Sequence, residues 1–387
     1  MKRNLRMLSG AVLYIFVTCH LLNMAFGLIS VEAVESARRV LTVPWTVFPI
    51  SPLLLLSMLV HAVLGLEAIY RRNTLRMSSY DTVQLISGLL VVPLLASHIV
   101  GIWAVKNLFA SDPTYHFILT VFWIDTPIEG LRQVLVVVVA WLHGSIGIFS
   151  WMRLKASWDR LSLFIYPLVV VVPVLALVGF VDAGNEVIAD RERAIEASSA
   201  DEPQLSEEEL RAQEEAAAIR AEEIGQKLDL TRRIMWTVIG IYSVLVVITF
   251  VARAIRLHIA RRARVSVRYL HGPQFEVPTG ASMLEISRLH HLPHANLCRG
   301  RGRCGTCRIR IIEADPPLPE PGPVEAATLK RKKLDPDIRL ACQVVPGAGS
   351  ITIERLIAPD ILPGDLHAAS NDDEDEDQQP AAEGANA

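Results

Sequence analysis

The sequence predicts two parts: an α-helical transmembrane bundle of six spans, followed by an α+β domain. Three observations lead there. Hydrophobic residues make up 51% of the 387, yet the C-terminal third is polar. Six apolar runs have the length of about twenty residues that crosses a hydrocarbon core. Four of the five cysteines fall beyond the last run, in one constellation, among short stretches that alternate apolar and polar residues.

The apolar runs are about Leu8–Leu28, Val47–Tyr70, Val83–Val105, Leu131–Met152, Leu161–Val181 and Ile234–Ile255. Lys2, Arg3 and Arg6 precede the first run, and Ala25-Phe26-Gly27 has the small-residue character of a cleavage site. The run is long for the apolar part of a signal peptide and contains His20, so a retained helix is expected.

Basic residues set the orientation. Lys2, Arg3 and Arg6 flank the start. Arg71, Arg72 and Arg76 follow the second span, Arg153, Lys155 and Arg160 the fourth, and Arg253, Arg256, Arg261, Arg262 and Arg264 the sixth. All lie on one side if the helices alternate. The expectation is a multi-pass protein of a bacterial cytoplasmic (inner) membrane, in contact with lipid, with the N-terminus and the C-terminal domain in the cytoplasm. The Glu- and Ala-rich stretch between spans five and six then faces outward, and its part from Ser206 to Leu228 reads as a solvated helix.

Spans one to four each carry one histidine: His20, His61, His98 and His143. An ionisable residue inside a span is costly and marks a functional hypothesis. The alternative is four imidazoles that each hydrogen-bond a neighbouring helix. Depth adds to the first reading, since His20 and His98 lie in the outward-leaning parts of their spans and His61 and His143 nearer the middle or inner parts. Opposed imidazoles can clamp haem iron axially, so the pairing His20 with His98 and His61 with His143 predicts two b-type haems stacked across the membrane. Haem c is not expected, because the chain has no C-x-x-C-H. His116 and His258 lie near span ends and are not expected to be ligands.

The cysteines read C-x5-C-x2-C-x34-C, at Cys298, Cys304, Cys307 and Cys342. Four thiolates so placed can hold a [2Fe–2S] cluster. The loop is rich in glycine at Gly300, Gly302 and Gly305, which suits backbone that must wrap closely around inorganic sulfide. A structural zinc site shows paired C-x2-4-C knuckles, and this loop has one. Disulfides do not suit a cytosolic segment. Around the loop, Val265, Val267 and Tyr269 alternate with Ser266 and Arg268 as in a half-buried strand. His271-Gly272-Pro273 reads as a turn, with Phe275 and Val277 on a second strand. Ser282 and Glu285 form a capping box. Arg308 to Ile312 and Ile351 to Ile353 read as strands, Pro316 to Pro323 as a loop, and Val324 to Lys333 as a short helix.

Residues from about Val265 to Ile353 resemble a ferredoxin domain of the adrenodoxin or bacterial type. The loop spacing and the segment Arg339-Leu340-Ala341-Cys342-Gln343 carry the resemblance. It implies a β-grasp fold, one-electron transfer, and Cys298, Cys304, Cys307 and Cys342 as cluster ligands. Arg299, Arg301, Arg303, Arg308 and Arg310 surround the loop, where such ferredoxins are often acidic. They form either a solvated basic face or a surface that favours the reduced cluster and steers an acidic soluble partner. His271, His290, His291 and His294 are expected to be surface or packing residues.

The helical part resembles the haem-carrying membrane anchor of succinate dehydrogenases and fumarate reductases, on helix count and histidine placement. Anchor and ferredoxin domain together resemble the N-terminal region of some bacterial membrane adenylate cyclases, without a cyclase domain. Only the acidic run Asp372 to Asp377 and a short polar end follow, and this end is expected to be disordered. The expected organisation is an anchor over 1–182, an extracytoplasmic acidic loop over 183–230, a sixth transmembrane helix over 231–256, the ferredoxin domain over 264–357 and the tail over 358–387.

The expected function is electron transfer between a cytoplasmic cluster and membrane haem, with quinone as a plausible far partner, as an electron carrier or oxidoreductase component. A redox sensor coupled to a partner protein, or a tethered ferredoxin without haem, remain open at this stage. No G-x-G-x-x-G follows a strand, so nicotinamide or flavin chemistry is not indicated, and no nucleic-acid partner is expected. The orientation has a direct check. Reporter fusions ending after Ala189 and after Pro359 should report opposite sides of the membrane, and same-side signals would rule the topology out.

Overall fold

The computed structural model describes residues 2–75, 77–153, 155, 157–199, 206–260 and 263–362. Arg76, Arg261 and Arg262, counted above for orientation, and the acidic run Asp372 to Asp377 lie outside the described residues. The chain divides into two compact units. The first comprises Met1–Ile69, Ser79–Ile148 and Leu161–Thr249; the second comprises Tyr70–Ser78, Phe149–Arg160 and Phe250–Ala387.

Among the described residues, six helices are long and apolar enough to cross a membrane. They are α1 (Lys2–Ala25), α4 (Ile50–Arg71), α5 (Ser79–Asn107), α7 (Pro127–Met152), α8 (Trp158–Ser199) and α9 (Glu207–Ala260). Short helices α2 (Val31–Leu41), α3 (Val43–Thr46) and α6 (Tyr115–Thr120) lie between them. Many apolar side chains of the long helices have no protein cover: Leu163 and Phe164 are 73% and 70% exposed. Such faces need an apolar solvent.

Helix α9 differs from the sequence expectation of a separate outer helix followed by a span. It runs unbroken for 54 residues. Ser206 caps its start, with the Ser206 hydroxyl accepting from Glu209 N at 3.3 Å and the Glu209 carboxylate accepting from Ser206 N at 2.9 Å. Ion pairs Lys227–Glu223 (2.6 Å) and Arg233–Asp229 (2.7 Å) then carry the helix through the polar stretch at i,i+4 spacing. No proline interrupts it, so nothing local ends the helix before the span.

Small residues set how closely helices approach. A Cβ on Gly27 would lie 2.1 Å from Gly179 O, and one on Gly179 would lie 2.3 Å from Met24 O, so the end of α1 touches α8 backbone to backbone. A Cβ on Gly144 would lie 2.4 Å from the Tyr14 ring. Tyr14 also shares a hydrogen bond with Ser145 Oγ at 3.1 Å and stacks on Trp141 at 4.9 Å.

The second unit is a five-stranded mixed sheet in the order β2-β1-β5-β3-β4 with two short helices. Its strands are β1 (Arg264–Tyr269), β2 (Gln274–Pro278), β3 (Arg308–Asp315), β4 (Ile338–Leu340) and β5 (Gly349–Arg355). The helices are α10 (Met283–Leu289) and α11 (Pro323–Arg331). β1 pairs antiparallel with β2 and parallel with β5. The alternation read in β1 is the core pattern: Val265, Val267 and Tyr269 are buried against Ile286, Ile309, Ile351 and Ile353. The Ser282–Glu285 capping box is present at the start of α10. β4 escaped the sequence reading because three residues are too few to show a period.

One buried ion pair ties α11 to β4. Arg339 donates to both carboxylate oxygens of Glu325, at 3.0 and 2.9 Å, and Leu340 N donates to Glu325 Oε1 at 2.8 Å. Glu325 is 2% exposed. Removing one partner leaves an uncompensated buried charge, so Glu325→Ala should destabilise the sheet unit by about 3–5 kcal/mol. Denaturant unfolding of this domain in the full-length protein checks it. Glu325→Gln, which still accepts from Leu340 N, should cost less.

Candidate redox sites

The cysteine loop joins α10 to β3, and Cys342 follows β4. The loop turns through left-handed backbone at Arg299 (φ 55°), Gly300 (φ 83°), Gly302 (φ 65°) and Gly305 (φ 75°). Three of these four positions are the glycines singled out in the sequence; Arg299 was not legible as such, because nothing in its residue type demands that angle. Cys298, Cys304 and Cys307 are buried and Cys342 is partly so. Cys307 Sγ donates to Cys342 Sγ at 3.2 Å, and the Cys298 sulfur accepts from both the Cys304 and Cys342 thiols. The four sulfurs therefore form one contact chain, a donor set suited to a cluster with two thiolates per iron.

The surroundings favour sulfur carrying negative charge. Cys298 N donates to Cys304 Sγ at 3.3 Å, Thr306 Oγ1 lies 3.1 Å from the same sulfur, and Gln343 Nε2 donates to Cys342 Sγ at 3.4 Å. Hydrogen bonds from Cys304, from Cys342 and from backbone N–H groups hold the Cys298 thiol well below its ordinary pKa. With that charge already next to them, the Cys304 and Cys342 thiols are pushed up.

The segment Phe149–Arg160 packs in the same unit. Arg301 donates to Ser150 O at 3.0 Å, and Arg153 donates to Leu297 O. Arg310 is neutralised by Asp337 and Glu354, each at 3.0 Å, and so adds little to a basic face. This corrects the expectation for that residue: the segment before β4 and strand β5 supply acids that the local sequence around the loop does not show. His294 is buried, accepts or donates at Ser287 Oγ (3.0 Å) through Nδ1, and burial lowers its pKa to about 4. His290 stacks on Phe275 at 3.9 Å.

In the bundle the four span histidines stand in two facing pairs. His20 and His98 have ring centroids 5.9 Å apart with planes at 64°. His61 and His143 are 6.1 Å apart with planes at 86°. His61 Nδ1 lies 3.1 Å from Arg6 O and 3.4 Å from Ser9 Oγ. His143 Nδ1 lies 3.0 Å from Gln84 O and 3.3 Å from Ser87 Oγ. These serines were missed in the sequence. Their signal is a Ser-Gly pair at the same distance before the histidine of spans one and three.

Comparison with known proteins bears on the C-terminal part. Residues 270–347, which contain all four clustered cysteines, match the family model described as the 2Fe-2S iron-sulfur cluster binding domain. One solved structure, the ISC-like [2Fe-2S] ferredoxin from Pseudomonas putida, aligns at 28% identity with a TM-score of 0.22. The alignment covers 24% of this chain and 90% of that one. The chain thus carries a [2Fe–2S] ferredoxin domain, with the capacity for electron transfer that such a domain has.

The ligand set can be checked directly. Cys298→Ala, Cys304→Ala, Cys307→Ala and Cys342→Ala should each abolish the cluster's visible absorption and its reduced-state EPR signal, because each iron needs two thiolates. A Cys342→Ala protein with a normal cluster spectrum would show that the fourth ligand lies elsewhere.

Proposed function

We propose that this chain is a membrane electron-transfer protein. Cys298, Cys304, Cys307 and Cys342 hold the [2Fe–2S] cluster on the cytoplasmic side, and two bis-histidine b haems sit in the bundle, one between His20 and His98 and one between His61 and His143. The observation that carries the reading is the two facing imidazole pairs on four adjacent spans of a chain that also carries a 2Fe-2S domain.

The residues fit the group. Imidazoles that face one another with ring centroids 5.9 and 6.1 Å apart, as these do, would hold a metal ion between them. Ser97 Oγ is buried without a hydrogen-bond partner among the described residues, a cost that polar edges of a bound group would relieve. When bound, cluster and haem supply one-electron chemistry. The chain's own residues hold them: the cysteines and N–H groups of the loop fix the cluster, and the bundle keeps the imidazoles dry and opposed.

A quinone dissolved in the bilayer and an acidic soluble protein are the partners this reading implies. Arg299, Arg301, Arg303 and Arg308 around the loop provide the charge that steers an acidic protein. Difference spectra of the purified full-length protein, oxidised and reduced, report cluster and haem separately. Electron flux from a reduced soluble ferredoxin partner to added quinone tests turnover.

Each of His20→Ala, His61→Ala, His98→Ala and His143→Ala should remove about one haem's worth of Soret absorbance, with both members of a pair removing the same haem. Wild-type protein free of haem, made in haem-replete cells, would overturn the reading in favour of a tethered ferredoxin.

A further inference from the structure

The surroundings of the His61 and His143 rings are built twice. In α1, Arg6, Ser9 and Gly10 face His61 of α4; in α5, Gln84, Ser87 and Gly88 face His143 of α7. The hydrogen-bond distances to the two Nδ1 atoms agree to within about a tenth of an ångström, well inside ordinary hydrogen-bond scatter. A Cβ on Gly10 would lie 2.8 Å from His61 Cε1, and one on Gly88 would lie 2.7 Å from His143 Cε1. Next to them, Arg6 Nη1 donates to Leu64 O at 3.3 Å, and Gln84 Nε2 lies 3.3 Å from where a Gly147 Cβ would stand.

The sequence repeats with the geometry. Ser-Gly-x9-His runs from Ser9 to His20 and again from Ser87 to His98. His-x3-Gly runs from His61 to Gly65 and again from His143 to Gly147. A two-helix unit, α1 with α4, thus recurs as α5 with α7, and each facing histidine pair takes one ring from each copy.

Hydrogen-bond chemistry fixes the proton. A carbonyl oxygen only accepts, so Nδ1 of His61 and of His143 carries the hydrogen and Nε2 keeps a lone pair. The serine hydroxyls direct their own protons to backbone, Ser9 to Arg6 O at 3.1 Å and Ser87 to Val83 O at 2.6 Å. Their lone pairs are then left to share the Nδ1–H. The other pair is not held this way, since no backbone carbonyl or serine hydroxyl bonds His98 Nδ1 among the described residues, and the side chain beside that ring is Gln133. An Nδ1–H acceptor orients a metal-bound imidazole and raises its basicity.

We propose that Ser9 and Ser87, with the carbonyls of Arg6 and Gln84, are positioning groups of a duplicated two-helix unit. They lock His61 and His143 as Nδ1–H tautomers with crossed ring planes. The haem between them is thereby distinct from the one between His20 and His98. This rests on the two-haem reading above.

The test uses full-length protein in detergent, with haem content, EPR and potentiometric titration as readouts. Crossed imidazole planes give a strongly anisotropic low-spin ferric signal, which His61→Ala and His143→Ala should each eliminate. Ser9→Ala and Ser87→Ala should keep both haems, yet shift that one signal towards lower anisotropy and raise the midpoint potential of that haem, since a less basic imidazole stabilises ferric iron less. The other haem should not move. Because the cradle is duplicated, the two serine variants must affect the same haem in the same direction, so failure of one to fold leaves the other as a full test. Gly10→Ala and Gly88→Ala should lower the content of that haem by displacing its imidazole. Unchanged signal and potential in a folded Ser9→Ala or Ser87→Ala protein would overturn the positioning role while leaving the haem intact. Full haem content in His61→Ala and His143→Ala would instead overturn the haem reading, and the cradle with it.

Discussion

A polar group taken out of water must find a partner, and in a lipid-spanning bundle the only partners are other parts of the chain or what it binds. Much of the bundle's cross-linking follows from that. Trp141 Nε1 donates to Val169 O at 2.7 Å, joining α7 to α8. Tyr242 OH donates to Leu89 O at 3.2 Å, joining α9 to α5. Arg132 donates to Pro93 O at 3.4 Å, a carbonyl of the helix that also carries His98. His61 and His143 obey the same constraint, and the carbonyls that face their Nδ1 atoms also decide which nitrogen is left available.

Glycine determines where such contacts can occur. Imidazoles of His61 and His143 occupy the space that a Cβ would fill at Gly10 and Gly88, and Tyr14 does the same at Gly144. Each substitution of these glycines would therefore strike a ring instead of filling a void. Helices that meet over small residues gain dispersion contact and bring carbonyls within reach of side chains from the next helix.

In the sheet unit the same requirement is met by different means. The loop from Cys298 to Cys307 has little regular structure to satisfy its backbone, and its N–H groups turn to sulfur. Thr328 Oγ1 donates to Gly302 O at 2.6 Å and Gln343 Nε2 to Gly300 O at 3.4 Å, so α11 and the segment after β4 hold the loop from outside. The Glu325–Arg339 pair links α11 to β4 and thus bears on the position of Cys342, three residues after Arg339.

Much of this was legible in the sequence, because its signals are local. Cysteine ligand spacing, the β1 alternation, the Ser282–Glu285 cap and the length of the apolar runs each lie within a few turns or one strand of chain. Four histidines on four consecutive spans could be read in the same way. Tertiary structure alone decided the rest. It made α9 one helix, gave Arg310 two acidic partners from β5 and the segment before β4, and placed a three-residue strand beside β3. It also set Arg6, Ser9 and Gly10 against a ring some fifty residues further along the chain, and repeated that contact in the second copy. Such features depend on which helix faces which. That is settled by close packing and by the pairing of every buried polar atom, neither of which has a period or spacing that a single stretch of sequence can display.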